Sequence, residues 1–331
     1  RVDGGQRSVG KGLSFLFLLF TVYCSLVDVF TGCASSKRVE LPKTHATAIE
    51  LSQRGVEAFD AGNYDMALIA FQKSLQLNTS VDNQNGICIN LLNLGRLYLA
   101  IGRFDDAKPV LERAVKIGFN LNDPLIISEA YATLGRYYYL TGNNKDAMDN
   151  LEKAVLIDSK EGYRTIGSKL NILGMVYKDS NRLEEAEKAF HDALKANQNY
   201  GLEAATADSF RGLGDVFLEK GDYKKAGESY KNALSIDKKS ANSAKISLGL
   251  FSVGMSSLKE NDAQIALDFF LRAYEVDSSR GDNKRALKTL DEIIGIYHEL
   301  GDKNSMEKYL LERERLLQKE TSLRKEGVGQ K

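Results

Sequence analysis

Six glycines recur at nearly constant intervals inside apolar segments of this chain, and that regularity restricts its fold more than any other feature. They are Gly55, Gly95, Gly135, Gly174, Gly214 and Gly254, separated by 40, 40, 39, 40 and 40 residues. One further step falls on Ile294, in a segment otherwise of the same kind. A period of this size marks a repeat architecture, in which each unit buries its apolar face only by stacking on its neighbours. Seven residues after each of these positions stand Gly62, Gly102, Gly142, Asn181, Gly221, Asn261 and Gly301. Glycine and asparagine tolerate positive φ, so this column predicts the tight turn within each unit.

Five residues beyond the turn come Ala67, Ala107, Ala147, Ala186, Ala226, Ala266 and Met306. Four further on are Phe71, Leu111, Leu151, Phe190, Tyr230, Phe270 and Leu310, and three more bring Ser74, Ala114, Ala154, Ala193, Ala233 and Ala273. Offsets of four and three keep these side chains on one face of a second helix. Small residues there allow close approach of backbones, and the aromatic or leucine fills the remaining space. Tyr98, Tyr138, Tyr177, Phe217 and Tyr297 supply a large partner on the first helix, where Ala58 and Ser257 stand in the first and sixth units.

The run Leu94-Gly95-Arg96-Leu97-Tyr98, continued by Gly102-Arg103-Phe104-Asp105-Asp106-Ala107, closely resembles the signature of the tetratricopeptide repeat family. The resemblance covers residues 47 to about 318. It implies an all-α, right-handed α-solenoid of seven helix–turn–helix repeats. The period exceeds the common 34 residues, and Ser, Lys or Asn replaces the proline that usually closes a unit. Both departures predict a longer first helix of about 16 residues, roughly 24 Å. Between units, Asp123 is expected as an N-cap with Pro124 at the first helical position, while Gly162, Gly201 and Gly281 lie in other joints. Pro109 falls early in a second helix and should bend it slightly.

Residues 1–33 differ from the repeats. Arg1, Arg7 and Lys11 precede a mostly Leu, Phe and Val run from Leu13 to Val27, which is short for a bilayer-spanning helix. Thr31-Gly32 before Cys33 resembles a bacterial lipobox, although Phe30 replaces the usual leucine and Asp28 lies close to the apolar run. The resemblance implies lipidation at Cys33; a plain cleaved signal and an uncleaved anchor are the alternatives. The expected organisation is a signal peptide over 1–33, a tether over 34–43, the repeat superhelix over 44–320, and a frayed tail over 321–331. With Cys24 and Cys33 assigned to that leader, Cys88 is left as a lone core residue.

The family's ligand groove is lined by first helices. Positions three before, one after and four after each repeat glycine share one face at 100° per residue. They predict groove candidates Arg96, Arg136, Tyr139, Asn171, Lys178, Arg211, Phe251 and Met255. Arg96 and Arg136 hold equivalent places in adjacent units and should stack on the groove wall. With Asn171, Lys178 and Arg211 they either offer donors to an acidic segment or a free C-terminus, or are solvated face residues, some paired with neighbouring acids. Phe251, Met255 and Leu258 form an apolar stripe, readable as a peptide side-chain pocket or as packing beneath the next unit.

Forty-five basic residues balance forty-five acidic ones. That balance supplies no global field for nucleic acid or an anionic membrane. No catalytic constellation is expected among His45, His191 and His298. His298-Glu299 opens like a zinc-protease motif, but Asp302 stands where its second histidine is required. No cofactor or metal is implied. These readings point to a non-enzymatic adaptor, lipid-anchored in a bacterial cell envelope and facing the periplasm or exterior, that binds a peptide or partner protein. The alternatives are an assembly factor for a type IV pilus or secretion pore, and a receptor for a small signalling peptide.

Overall fold

The computed structural model describes residues 43–328, with side chains as far as 319. Cys33 and the leader, and the tether to residue 42, lie outside the described residues. Among those described, fourteen helices follow one another as seven pairs and no strand occurs. They are α1 (Lys43–Asp60) and α2 (Tyr64–Ser80), then α3 (Gln84–Ala100) and α4 (Phe104–Leu121), then α5 (Pro124–Leu140) and α6 (Asn144–Glu161). The series continues with α7 (Ile166–Asp179) and α8 (Leu183–Asn199), α9 (Glu203–Glu219) and α10 (Tyr223–Lys239), and α11 (Ser243–Lys259) and α12 (Ala263–Arg280). It closes with α13 (Asn283–Glu299) and α14 (Lys303–Val328). None of these helices is long and apolar enough to cross a membrane.

The turn column behaves as its chemistry demands. Gly62, Gly102, Gly142, Gly221 and Gly301 have φ of 75°, 73°, 80°, 79° and 70°, and Asn181 and Asn261 take 58° and 63°. Asp123 caps α5 by accepting from the backbone N–H of Leu125 and Ile126 at 3.0 and 3.1 Å. Pro109 lies inside an α4 that runs without a break. The extra length of each unit is not confined to the first helix. First helices have 14 to 18 residues, whereas second helices have 17 or 18 before the 26 of α14. Helical register within a unit is set by contacts along both members, so the added residues extend both.

The chain divides into two compact units, Arg1–Arg103 and Phe104–Lys331. In the first, α1 approaches α2 at Gly55, where an added Cβ would lie 2.5 Å from the Phe71 ring. Ser74 Oγ donates to the Ala48 carbonyl at 2.6 Å, and Cys88 is fully buried in α3. His45 stands in α1, against Asn83.

In the second unit the same close approach repeats at Gly135 with Leu151, Gly174 with Phe190, Gly214 with Tyr230 and Gly254 with Phe270. Phe190 is held on two sides, because Gly212 of the next repeat also presses on its ring. Ala147, Ala186, Ala226 and Ala266 are fully buried between these helices. The last pair departs from the rule. Leu310 is 37% exposed, whereas Phe190, Tyr230 and Phe270 at the same place are buried. Ile294 replaces the repeat glycine there, and α14 is the last helix among the described residues.

A second column, not anticipated from sequence, runs along the second helices four residues beyond the small one. Asp158, Asn197, Asp237 and Asp277 occupy it, all buried. Burial pushes the Asp277 carboxyl above its ordinary value, with Arg285 Nε 3.5 Å away offering partial relief. A raised carboxylate pKa weakens the fold as pH rises through the folded value, and the penalty is absent below the unfolded value near 3.9. Asp277→Asn is therefore expected to stabilise the protein at neutral pH by about 1 kcal/mol. Melting temperatures measured across pH should show that gain shrinking as pH falls toward the ordinary carboxylate range. A loss of stability at pH 7, or a pH-independent gain, would contradict the assignment.

Candidate functional site

The side chains of the first helices sort into three rows about each repeat glycine. The row three residues before it is committed to the scaffold. Asn171 is buried, donates to the Ala205 carbonyl of the next first helix at 3.0 Å, and accepts from Ser209 Oγ at 2.8 Å. Arg211 pairs with buried Asp237 at 2.5 Å and contacts Asp208, so its guanidinium is engaged within its own repeat. Asn171 and Arg211 are thus corrected from groove donors to structural groups. The helical angle gave their direction, but α9 of the next repeat takes up Asn171 and α10 of its own repeat takes up Arg211.

Phe251 belongs to the same row and is likewise buried. Its ring meets Phe270 at 5.3 Å between centroids, and Lys288 Nζ lies 4.7 Å from its centre. Met255 and Leu258 are partly buried against the same core. These contacts accord with the packing reading of the stripe, with Phe251 lying under Lys288 of the following repeat.

The rows one and four after the glycine are mixed: Leu99 is buried and Met255 and Leu258 are partly buried, but exposed positions remain. Arg96 in the first unit is half-buried, while in the second unit Arg136 is exposed and Met175 is 41% exposed. Tyr139 Oη donates to Asp179 Oδ2 of the next repeat at 2.7 Å. Lys178 Nζ lies 3.0 Å from Asp179 and 3.2 Å from Glu219 of the repeat beyond. A polar chain thereby runs across α5, α7 and α9. Burial pulls the Lys178 ammonium down, but its two carboxylates outweigh that and hold its pKa at about 12. Burial and the Asp179 carboxylate push the Tyr139 hydroxyl up to about 12. Asp215 follows the glycine of α9 and accepts from buried Tyr230 at 2.7 Å. Desolvation raises its pKa despite that bond.

Lys178 is therefore a bridging residue whose charge is already opposed. Asp179 and Glu219 were missed by sequence reading, and Asp215, one after Gly214 on the predicted face, was not singled out. Their signal was available only as a spacing of one repeat between Tyr139 and Asp179, which has no meaning until the helices are known to be neighbours. Chemically, the accessible face offers a guanidinium at Arg136, an exposed thioether at Met175 and a fixed, partly acidic strip. Nothing in it pairs a nucleophile with a base.

Two tetratricopeptide repeat models match the chain, one over residues 46–118 and 165–239 and the other over 92–162, together more than half of its length. No curated protein matches it in sequence. Among solved structures it is similar to the apo form of RapI, at 14% identity and a TM-score of 0.70, covering 82% of this chain and 77% of that one. A Rap protein complexed with competence and sporulation factor gives 15% identity and a TM-score of 0.58, with coverage of 82% and 76%. PilF of Pseudomonas aeruginosa gives 21% and 0.54, with 71% of this chain and 93% of that chain covered. At such identities the likeness is one of fold. Spacing, turn geometry, glycine–aromatic packing and family models agree: the chain belongs to the tetratricopeptide repeat family.

Proposed function

We propose that this protein is a non-catalytic adaptor that holds a peptide segment or partner protein against the first-helix face, tethered to a bacterial envelope membrane through lipid on Cys33. The observation that carries the binding reading is the row after the repeat glycine. Arg136 and Met175 are exposed there, while the neighbouring rows are used by the scaffold. An exposed methionine beside a guanidinium suits a segment that alternates an apolar and an acidic side chain. The anchor rests on the lipobox-like Thr31-Gly32-Cys33 and on the basic and apolar run before it.

Arg96→Glu with Arg136→Glu tests the face. Both changes lie outside the core, so helicity and melting should stay nearly unchanged. Affinity for an anionic partner should fall by several kcal/mol, because charge-assisted bonds are replaced by repulsion. Wild-type affinity in the double variant would place the binding site elsewhere. Unfolding would instead make these arginines structural. The anchor is tested by mass spectrometry of the chain isolated from cells, where Cys33 should carry acyl groups that Cys33→Ser lacks. An unacylated wild-type cysteine removes the tether from the proposal. Tight binding of a defined short peptide would favour a signalling receptor, and co-purification with pore components an assembly factor.

A further inference from the structure

A depression lined by second helices is separate from the first-helix face. It lies between the second helices α10 and α12, holds about 380 Å³, and is lined by Lys231, Leu234, Ser235, Lys238, Phe269 and Arg272. Its floor is apolar. Leu234 is buried, and partly buried Phe269 packs against the cores on both sides of it. Its rim is cationic. Lys231 and Lys238 are seven residues apart, hence on one face of α10 about 10 Å apart along the axis. Both are exposed, and neither makes an ion pair among the described residues. On the opposite side the Arg272 guanidinium lies 5.1 Å from the centre of the Phe269 ring and shares itself with Asp268 at 3.1 Å.

The lining of this depression carries three cations and no acid, although the chain as a whole is neutral. Helix α10 carries Lys224, Lys225, Lys231, Lys238 and Lys239 against Glu228 and Asp237, with Lys225 paired to Asp222, and α12 brings Asp268 and Glu275. Asp237 is buried and neutralised by Arg211, so it opposes nothing at the surface. Three cations around an apolar floor match a ligand with carboxylates on either side of a flat apolar group. The ring would lie on Leu234 and Phe269, and the carboxylates would reach the two ammonium groups and the guanidinium, which is already oriented by its stacking.

We infer that the α10–α12 depression is a second docking site, and that its occupant is a short acidic segment of a partner protein with an aromatic residue set between its carboxylates. The charge complementarity of Lys231, Lys238 and Arg272 carries the choice of occupant.

The test uses the full chain and a labelled, acetylated and amidated peptide, Asp-Glu-Phe-Asp-Glu, followed by fluorescence anisotropy at two salt concentrations. Binding should weaken at the higher salt. It should fall at least tenfold in Lys231→Glu/Lys238→Glu, and several-fold when the peptide's Phe is replaced by Ala. Lys284→Glu on α13 should bind like wild type. If the reversed pair disturbs folding, Lys231→Gln/Lys238→Gln with unchanged circular dichroism gives the same reading with a smaller loss. No binding by the wild type, or equal binding by the double variant, overturns the site. Equal loss in Lys284→Glu overturns it in favour of diffuse charge attraction. Lysine-dependent binding to phosphatidylglycerol vesicles but not to the peptide assigns the face to a membrane instead.

Discussion

Substituting aspartate for Ala186 is expected to cost about 3 kcal/mol or more, enough to unfold the centre of the array at moderate temperature. Ala186 is completely buried and packs with Phe190, Leu213, Phe217 and Tyr230 in one core. Phe190 cannot yield, because Gly174 and Gly212 already confine its ring. The carboxylate would therefore be crowded as well as unpaired in a dry interface. Ala147→Asp should behave alike, since Ala147 is equally buried against Leu151, Leu173 and Val176. Because each repeat is stabilised through its neighbours, damage at one joint weakens the adjoining repeats. Urea denaturation provides the measurement, with Lys188→Asp on the outer side of α8 as a control. Midpoints within error of wild type for both alanine variants would sink the repeat register.

Lys169→Met should be of similar size for an electrostatic reason. Lys169 is 3% exposed and Asp158 is 0% exposed. The ammonium lies 2.7 and 2.8 Å from the two Asp158 oxygens, 2.7 Å from Ser128 Oγ and 3.0 Å from Glu129 Oε1. Thr165 Oγ1 donates to the same carboxylate at 2.8 Å. This network joins α5, α6 and α7. Methionine keeps the length of the side chain but has no donor, so a buried carboxylate is left without its cation. Breaking a buried pair in this way costs roughly 3–5 kcal/mol. Asp158→Leu added to Lys169→Met should restore part of the loss, because it removes the more deeply buried of the two carboxylates left without their cation and fills the space, while Glu129 stays. If the single variant loses less than about 1 kcal/mol, water reaches the network and it contributes little. If the double variant is no better than the single one, packing at this joint rather than charge accounts for the loss.

Much of the scaffold was legible in the chain. The turn column needed positive φ, and glycine or asparagine stands at every one of its positions. The alanine and aromatic columns of the second helices are buried in the second unit up to the final pair, where Ile294 had already broken the pattern. Other joints were less visible: Asp82 and Ala241 adopt φ of 51° and 53° where no glycine or asparagine announced it. The acid and amide column from Asp158 to Asp277 also escaped notice, because a polar residue in a helix suggests solvent until its partners are known.

The site was legible only in part, and the reason is geometric. Periodicity fixes the direction of a side chain about its own helix axis, so it named Arg136 on the accessible row and Tyr139 beside it. It does not say how far the next repeat extends over that helix. The placement of α9 turned Asn171 into an inter-repeat tie, that of α10 took up Arg211, and that of α13 covered Phe251. Lys178 likewise found Glu219 one repeat on. The sequence by itself determined a repeat array, its turns and its buried columns, since those depend on local backbone conformation and helical register. Tertiary structure decided which polar groups are free to meet a partner, since that depends on what each helix's neighbours cover and which charges they bring.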